Sequence, residues 1–172
     1  MALENFNHTV RWSDFTTKES RPTGEDEDAH IEALSKAANM QGMKKDGKYK
    51  VSSIKLRLYV DKGASWAVKG TKTDELLQHE QRHFDITAIG ARELHKRVLE
   101  LRTDSTDELM EQMKTIETEI QGLTNELNEL YDDQTDHSRK KARQQHWNTN
   151  INAIKKRDRG TLNELKKAVG KP

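Results

Sequence analysis

Seven apolar residues, Leu109, Met113, Ile116, Ile120, Leu123, Leu127 and Leu130, recur at alternating steps of four and three. That is a heptad stripe, and a helix bearing it must lie along a partner. Upstream, Leu76, Ile86, Gly90, Leu94, Val98 and Leu101 gather on one side of a second helix at 100° per residue. Between the two stands Thr103-Asp-Ser-Thr-Asp107, a helix breaker, with Ser105 and Glu108 spaced to cap the heptad helix. The pattern predicts a long helix over 71–102 folded back on its successor as an antiparallel hairpin. A homodimeric coiled coil through the 109–130 stripe is the alternative partner arrangement.

Apolar residues make up only 32% of the 172 and charged residues 34%, a balance that suits helices burying one narrow stripe each. Lysine plus arginine (30) nearly cancels aspartate plus glutamate (29), so no global basic excess points to nucleic acid. Cysteine is absent, which leaves His, Asp and Glu as the metal ligands available. No apolar run approaches the ~18 residues of a membrane span. Met1-Ala2-Leu3 begins no signal peptide, so a native start at Met1 implies the cytoplasm.

Before the helices the pattern changes period. Val51 to Val60 places Ile54, Leu56, Leu58 and Val60 on one face and Lys55, Arg57 and Tyr59 on the other, as a half-buried strand does. Asp46-Gly47 marks a hairpin turn before it. Val10 and Trp12 within residues 6–15, and Ile31 to Ser35, alternate as further strands, while 16–28 reads as a polar loop and Trp66 as an anchor over the sheet edge. The expectation is a single α+β domain over residues 1–172: a small N-terminal antiparallel sheet (6–66), a long helix (71–102), C-terminal helices (105–157) and a basic tail (158–172).

The long helix contains His79-Glu80-Gln-Arg-His83. Histidines four apart project from one face of a helix, a turn from each other. Neutral imidazoles suit a borderline ion such as Zn²⁺, and an adjacent glutamate stands beside the ion, where a general base for a bound water belongs. Both histidines fall on the apolar side of the wheel, where unpartnered polar groups are costly.

A catalytic zinc takes three protein ligands and keeps one position open. Glu93 and His95 lie roughly 15–18 Å along the same helix and do not reach. Asp85 points to the far side, as a tie to a neighbouring element. In the hairpin, residue 127 comes level with 81, and His137, expected to open a third helix, returns near the start of the motif helix. A helix N-terminus there would keep its imidazole deprotonated. His146 is drawn away, and His8 and His30, on the sheet side, are the remaining alternatives.

Trp12-Ser-Asp-Phe15, Ser65-Trp66, the string from Leu76 through His79-Glu80-Gln-Arg-His83-Phe-Asp-Ile86, and Tyr131-Asp-Asp-Gln-Thr135-Asp-His137 together resemble a bacterial family, the predicted secreted zinc-dependent proteases; Gln144 and Trp147 continue the likeness. The resemblance spans roughly residues 8 to 154. It implies a zincin-like metallopeptidase, usually exported to the periplasm or beyond, with His79 and His83 as Zn²⁺ ligands, Glu80 as base and His137 as third ligand. Ser138 stands where the family commonly has glycine, and Arg82 where it often has a small residue. Tyr131 is the candidate oxyanion stabiliser, against the plainer reading of an aromatic at the edge of the heptad seam. Asp132 is the candidate to orient a ligand histidine through its second nitrogen.

The sequence thus points to a zinc-dependent hydrolase acting on peptide or protein, without nucleic-acid or membrane partners. Its rivals are a non-catalytic, metal-stabilised helical binding module and a coiled-coil interaction protein.

Overall fold

A computed structural model describes residues 2–170. Its strands are β1 (Leu3–Glu4), β2 (Thr16–Lys18), β3 (Ala29–His30), β4 (Ala33–Lys45), β5 (Lys48–Val60) and β6 (Trp66–Val68), followed by helices α1 (Asp74–Glu100), α2 (Thr106–Thr135), α3 (Lys141–Lys156) and α4 (Leu162–Val169). The architecture is α+β. The strands form two mixed three-stranded sheets, ordered β1-β5-β4 and β2-β6-β3, rather than one antiparallel sheet. Each contains one parallel pair, β1 with β5 and β2 with β6.

The β4–β5 hairpin turns at Asp46-Gly47, both at positive φ, as the Asp-Gly signal implies. Register shifts interrupt its ladder between Ala37 and Asn39 and between Gln41 and Gly42. The second explains a parity break in the sequence: Val51 and Ile54, an odd number of residues apart, are both buried because Ser52 is inserted between paired positions. Trp66 lies in the central strand of the second sheet, not over an edge.

Residues 6–15 are not a strand. Val10 and Phe15, five residues apart, are buried and Trp12, which the alternation pairs with Val10, is half-buried, because Trp12–Asp14 forms a 3₁₀ turn. The segment's backbone is held instead by one side chain: Val10 N–H donates to Gln81 Oε1 (2.8 Å), and Gln81 Nε2 donates to the His8 carbonyl (3.1 Å). A carboxamide supplies one donor and one acceptor, as a strand neighbour would.

α1 is capped by Thr73, whose hydroxyl accepts from Leu76 N–H, so the helix starts at Asp74 rather than at 71. Ser105 caps α2 as expected. Every residue from Phe84 to Arg92 is buried, because α1 is the layer shared by two cores. Phe84, Ala88 and Ala91 face the sheets with Leu56 and Leu58. Ile86 and Ile89 face α2, α3 and α4 with Ile120, Leu127, Trp147 and Leu165. The heptad stripe is therefore covered within the chain.

The expected tail is a helix up to Val169; residues 171 and 172 lie outside the described residues. Thr161 and Glu164 form a reciprocal capping box, Glu93 accepts from Leu162 N–H (2.9 Å), and Leu162, Leu165 and Val169 are fully buried. Eight residues with three inward apolar positions hold a helix only against such a surface. No helix among the described residues is long and apolar enough to cross a membrane.

Candidate metal centre

Two i,i+4 pairs face each other across antiparallel helices: His79 and His83 from α1, Asn128 and Asp132 from α2. The Nε2 atoms of the histidines are 3.2 Å apart. Asp132 Oδ1 lies 3.0 Å from the first and 2.9 Å from the second. Each Nδ1 faces an amide oxygen, His79 that of Gln144 (3.1 Å) and His83 that of Asn128 (3.0 Å). A ring that donates through Nδ1 presents a lone pair at Nε2, the state a metal requires. Asn128 and Gln144, not Asp132, thus occupy the second nitrogens; Asp132 faces the first.

Three electron-pair donors near 3 Å from one another need a cation among them. Ligands about 2.0–2.1 Å from a tetrahedral ion stand roughly 3.3 Å apart, close to the spacing here. Without an ion, a proton serves. Burial alone would lower the His83 pKa, but the Asp132 carboxylate beside it, with Glu80 and Asn128, raises it to about 9. Burial lowers that of His79. Asp132 is held well below the ordinary carboxylate range, its burial outweighed by the two histidines.

His137 reaches this cluster, though not from a helix N-terminus. α2 continues to Thr135, and α3 begins only at Lys141. Between them Asp136, His137 and Ser138 all adopt left-handed backbone (φ 50°, 49° and 75°), so the dipole argument does not apply. Ser138 carries a side chain in the conformation that glycine adopts freely. His137 Nδ1 is buried without a hydrogen-bond partner, 3.8 Å from Asp132 Oδ1 and 3.5 Å from Glu27 Oε2. His79, Asp132 and His137 each offer a ligand atom within 4.8 Å of the others, and His83 adjoins them through its 2.9 Å contact with Asp132.

Glu80 is 1% exposed, and its Oε2 has no partner. Burial pushes its pKa up to about 8. It lines, with His83 and Asp132, a cleft of about 290 Å³ between α1, α2 and the start of β4. Tyr131 does not face that cleft. It is fully buried, stacked on His79 at 4.5 Å and edge-on to His83 at 4.9 Å. Its hydroxyl donates to the His79 carbonyl (3.4 Å) and accepts from Gln144 Nε2. Tyr131, expected as the oxyanion stabiliser, thus lies under the histidine pair with its hydroxyl engaged by Gln144 and the His79 carbonyl.

The other candidates sort by contact. His30 lines the cleft and pairs with Glu27 (3.2 Å). His8 pairs with Asp14 (3.1 Å), His95 with the Ile54 carbonyl (3.1 Å), and His146 lies beside Asn150; none of these three lines the cleft. Asp85 ties α1 to α3 through Lys155 (2.7 Å) and also holds Arg82 (2.7 Å). Arg82 reaches Asn148 and Asn152 as well, so it braces α3 and does not line the cleft. Asn128 escaped sequence reasoning. Its one signal was its position a turn before Asp132, on the helix face opposite the motif.

The site is thus a His/Asp cluster, His79 and His83 buried and Asp132 and His137 half-buried, at the seam of two antiparallel helices of an α+β domain. The chain belongs to a family described as "Bacterial protein of unknown function (DUF922)", whose model matches residues 17–138, from β2 through the motif to just past His137. Searches of the curated proteins and of the solved structures returned no match.

Proposed function

We propose that the protein is a zinc-dependent hydrolase of the peptidase class, with Glu80 as general base. The observation that carries this is the convergence of His79 Nε2, His83 Nε2 and Asp132 Oδ1 within 2.9–3.2 Å, beside a buried carboxylate that has an unpartnered oxygen. The donor chemistry fits zinc: imidazoles and a carboxylate, no thiolate, and an orphaned Nδ1 on His137. His79 and His83 would hold the ion, with one of His137 and Asp132 as third ligand and the fourth position left to water. Bound zinc supplies Lewis acidity toward a carbonyl oxygen and lowers the pKa of water toward ~7.

The chain's own residues do the rest. Asn128 and Gln144 fix the tautomers and ring planes, Tyr131 supports both rings, and Glu80 takes a proton from the attacking water and passes it to the leaving amine. Glu80→Gln should lower kcat about 10²–10⁴-fold while zinc content, measured by plasma mass spectrometry, stays at wild type. Hydrolysis at the wild-type rate in that variant would sink the mechanism.

A second reading is favoured by one feature: His79, His83, Asp132 and His137 together number four, enough to close a structural site. His137→Ala and Asp132→Ala separate the two. A three-ligand catalytic site loses zinc in only one of them, whereas a closed clamp is weakened comparably by both.

A further inference from the structure

The cleft beside the metal centre is lined by six carboxylate residues, Glu27, Glu32, Glu80, Glu117, Glu129 and Asp132, and among the described residues no lysine or arginine lines it. The chain as a whole is balanced, 30 basic against 29 acidic side chains, so charge has been separated in space. The cations collect elsewhere: Lys36, Lys44, Lys45 and Lys48 are exposed on the β4–β5 hairpin. Along α2 the division repeats. Glu119 and Glu126 are paired with Arg97 and Lys166, whereas Glu117 and Glu129, on the cleft side, form no ion pair among the described residues.

Acidic side chains alone would make no site. Here they surround Glu80, 1% exposed, whose Oε2 has no hydrogen-bond partner. Between the carboxylates lie Ile31, Ala33, Leu34, Ala91, Leu94 and Ile120. An apolar strip under an acidic rim matches a side chain with an aliphatic stem and a cationic head. From Glu117 to Asp132 the groove follows α2 for about 22 Å at 1.5 Å per residue. That is the length of roughly six residues of extended chain.

We infer that this groove selects cationic peptides, taking lysine or arginine side chains through Glu129 and Glu32 and, about 22 Å from the scissile bond along α2, through Glu117, and rejecting acidic sequences. The inference rests on the peptidase reading for its scissile bond, but its selectivity is a matter of binding. Like-signed charges lining a cleft focus the field along it, and each exposed carboxylate adds a small, salt-sensitive increment.

The test uses the full-length, zinc-loaded Glu80→Gln variant and two fluorescent hexapeptides identical except that one carries two lysines and the other two glutamates. The lysine peptide should bind about tenfold more tightly, and raising NaCl to 0.5 M should shrink that ratio toward one. Adding Glu117→Gln and Glu129→Gln to the same background should reduce the ratio by half or more at low salt. Both residues are exposed, and a melting curve checks that the fold is kept. Equal binding of the two peptides, or a ratio unmoved by the substitutions, overturns the inference. Hydrolysis bears on the other claim: wild type that binds the lysine peptide selectively but never cleaves it leaves the groove's selectivity standing and removes the peptidase.

Discussion

The two halves of α1 pack against the same helix in opposite ways. Toward its C-terminal half, Gly90 lets α2 and α4 come so close that a Cβ there would lie 2.8 Å from Thr124 Oγ1 and 3.3 Å from Ile120 and Leu162. Toward its N-terminus, His79 and His83 meet Asn128 and Asp132 at hydrogen-bonding distance, with polar atoms rather than methyl groups filling the gap. The close contact sets the spacing that the polar end needs. An apolar joint, packed as densely as an organic crystal, holds His79, His83 and Asp132 within 2.9–3.2 Å of one another, with Asn128 behind the second ring.

Three substitutions break or sharpen that contrast. Gly90→Val forces a branched side chain into a space closed to a single methyl group, and overpacking of this kind costs about 3 kcal/mol. Denaturant unfolding should show that loss, and zinc affinity should fall with it although no ligand has changed. Unchanged affinity in a destabilised protein would mean that the two ends of the helix pair are independent. Next, Asn128→Ala or Gln144→Ala frees one ring while leaving every metal-facing atom in place. Zinc affinity, by competition with a chelating dye, should drop about 10–100-fold. A drop of less than twofold in both would remove their role as orienting groups. The smallest effect concerns the turn that presents His137. Ser138→Gly relieves a left-handed residue (φ 75°) and should stabilise the fold by about 1 kcal/mol, read from the denaturation midpoint. Destabilisation would show that the serine side chain contributes more than its backbone costs.

The helical part was the more legible half of the chain. Stripes at 3.6 and 3.5 residues, a Ser-x-x-Glu start and a polar break are local signals, and they place α1 and α2 to within a few residues at each end. The N-terminal part was legible where burial alternates, as in β5, and misread where backbone bonding is not local. Residues 6–15 show the alternation of a strand, but their partner is the side chain of Gln81, some seventy positions away, which no periodicity records. The C-terminal residues read as a basic tail because Lys166 and Lys167 dominate the eye. Leu162, Leu165 and Val169 form a helix only because Glu93 and the core are there to receive it.

The sequence by itself determined that two imidazoles would share a helix face, that a glutamate would stand beside them, and that a second helix would return past them. Those facts follow from spacing along one chain. Only the tertiary structure decided what faces each nitrogen. It put Asp132 against the two Nε2 atoms, gave the Nδ1 atoms to Asn128 and Gln144, turned Tyr131 into the core, and brought His137 in through a left-handed turn. Which atom meets which depends on how far two helices approach and where each is cut, and Gly90 and the turn after Thr135 set those two quantities.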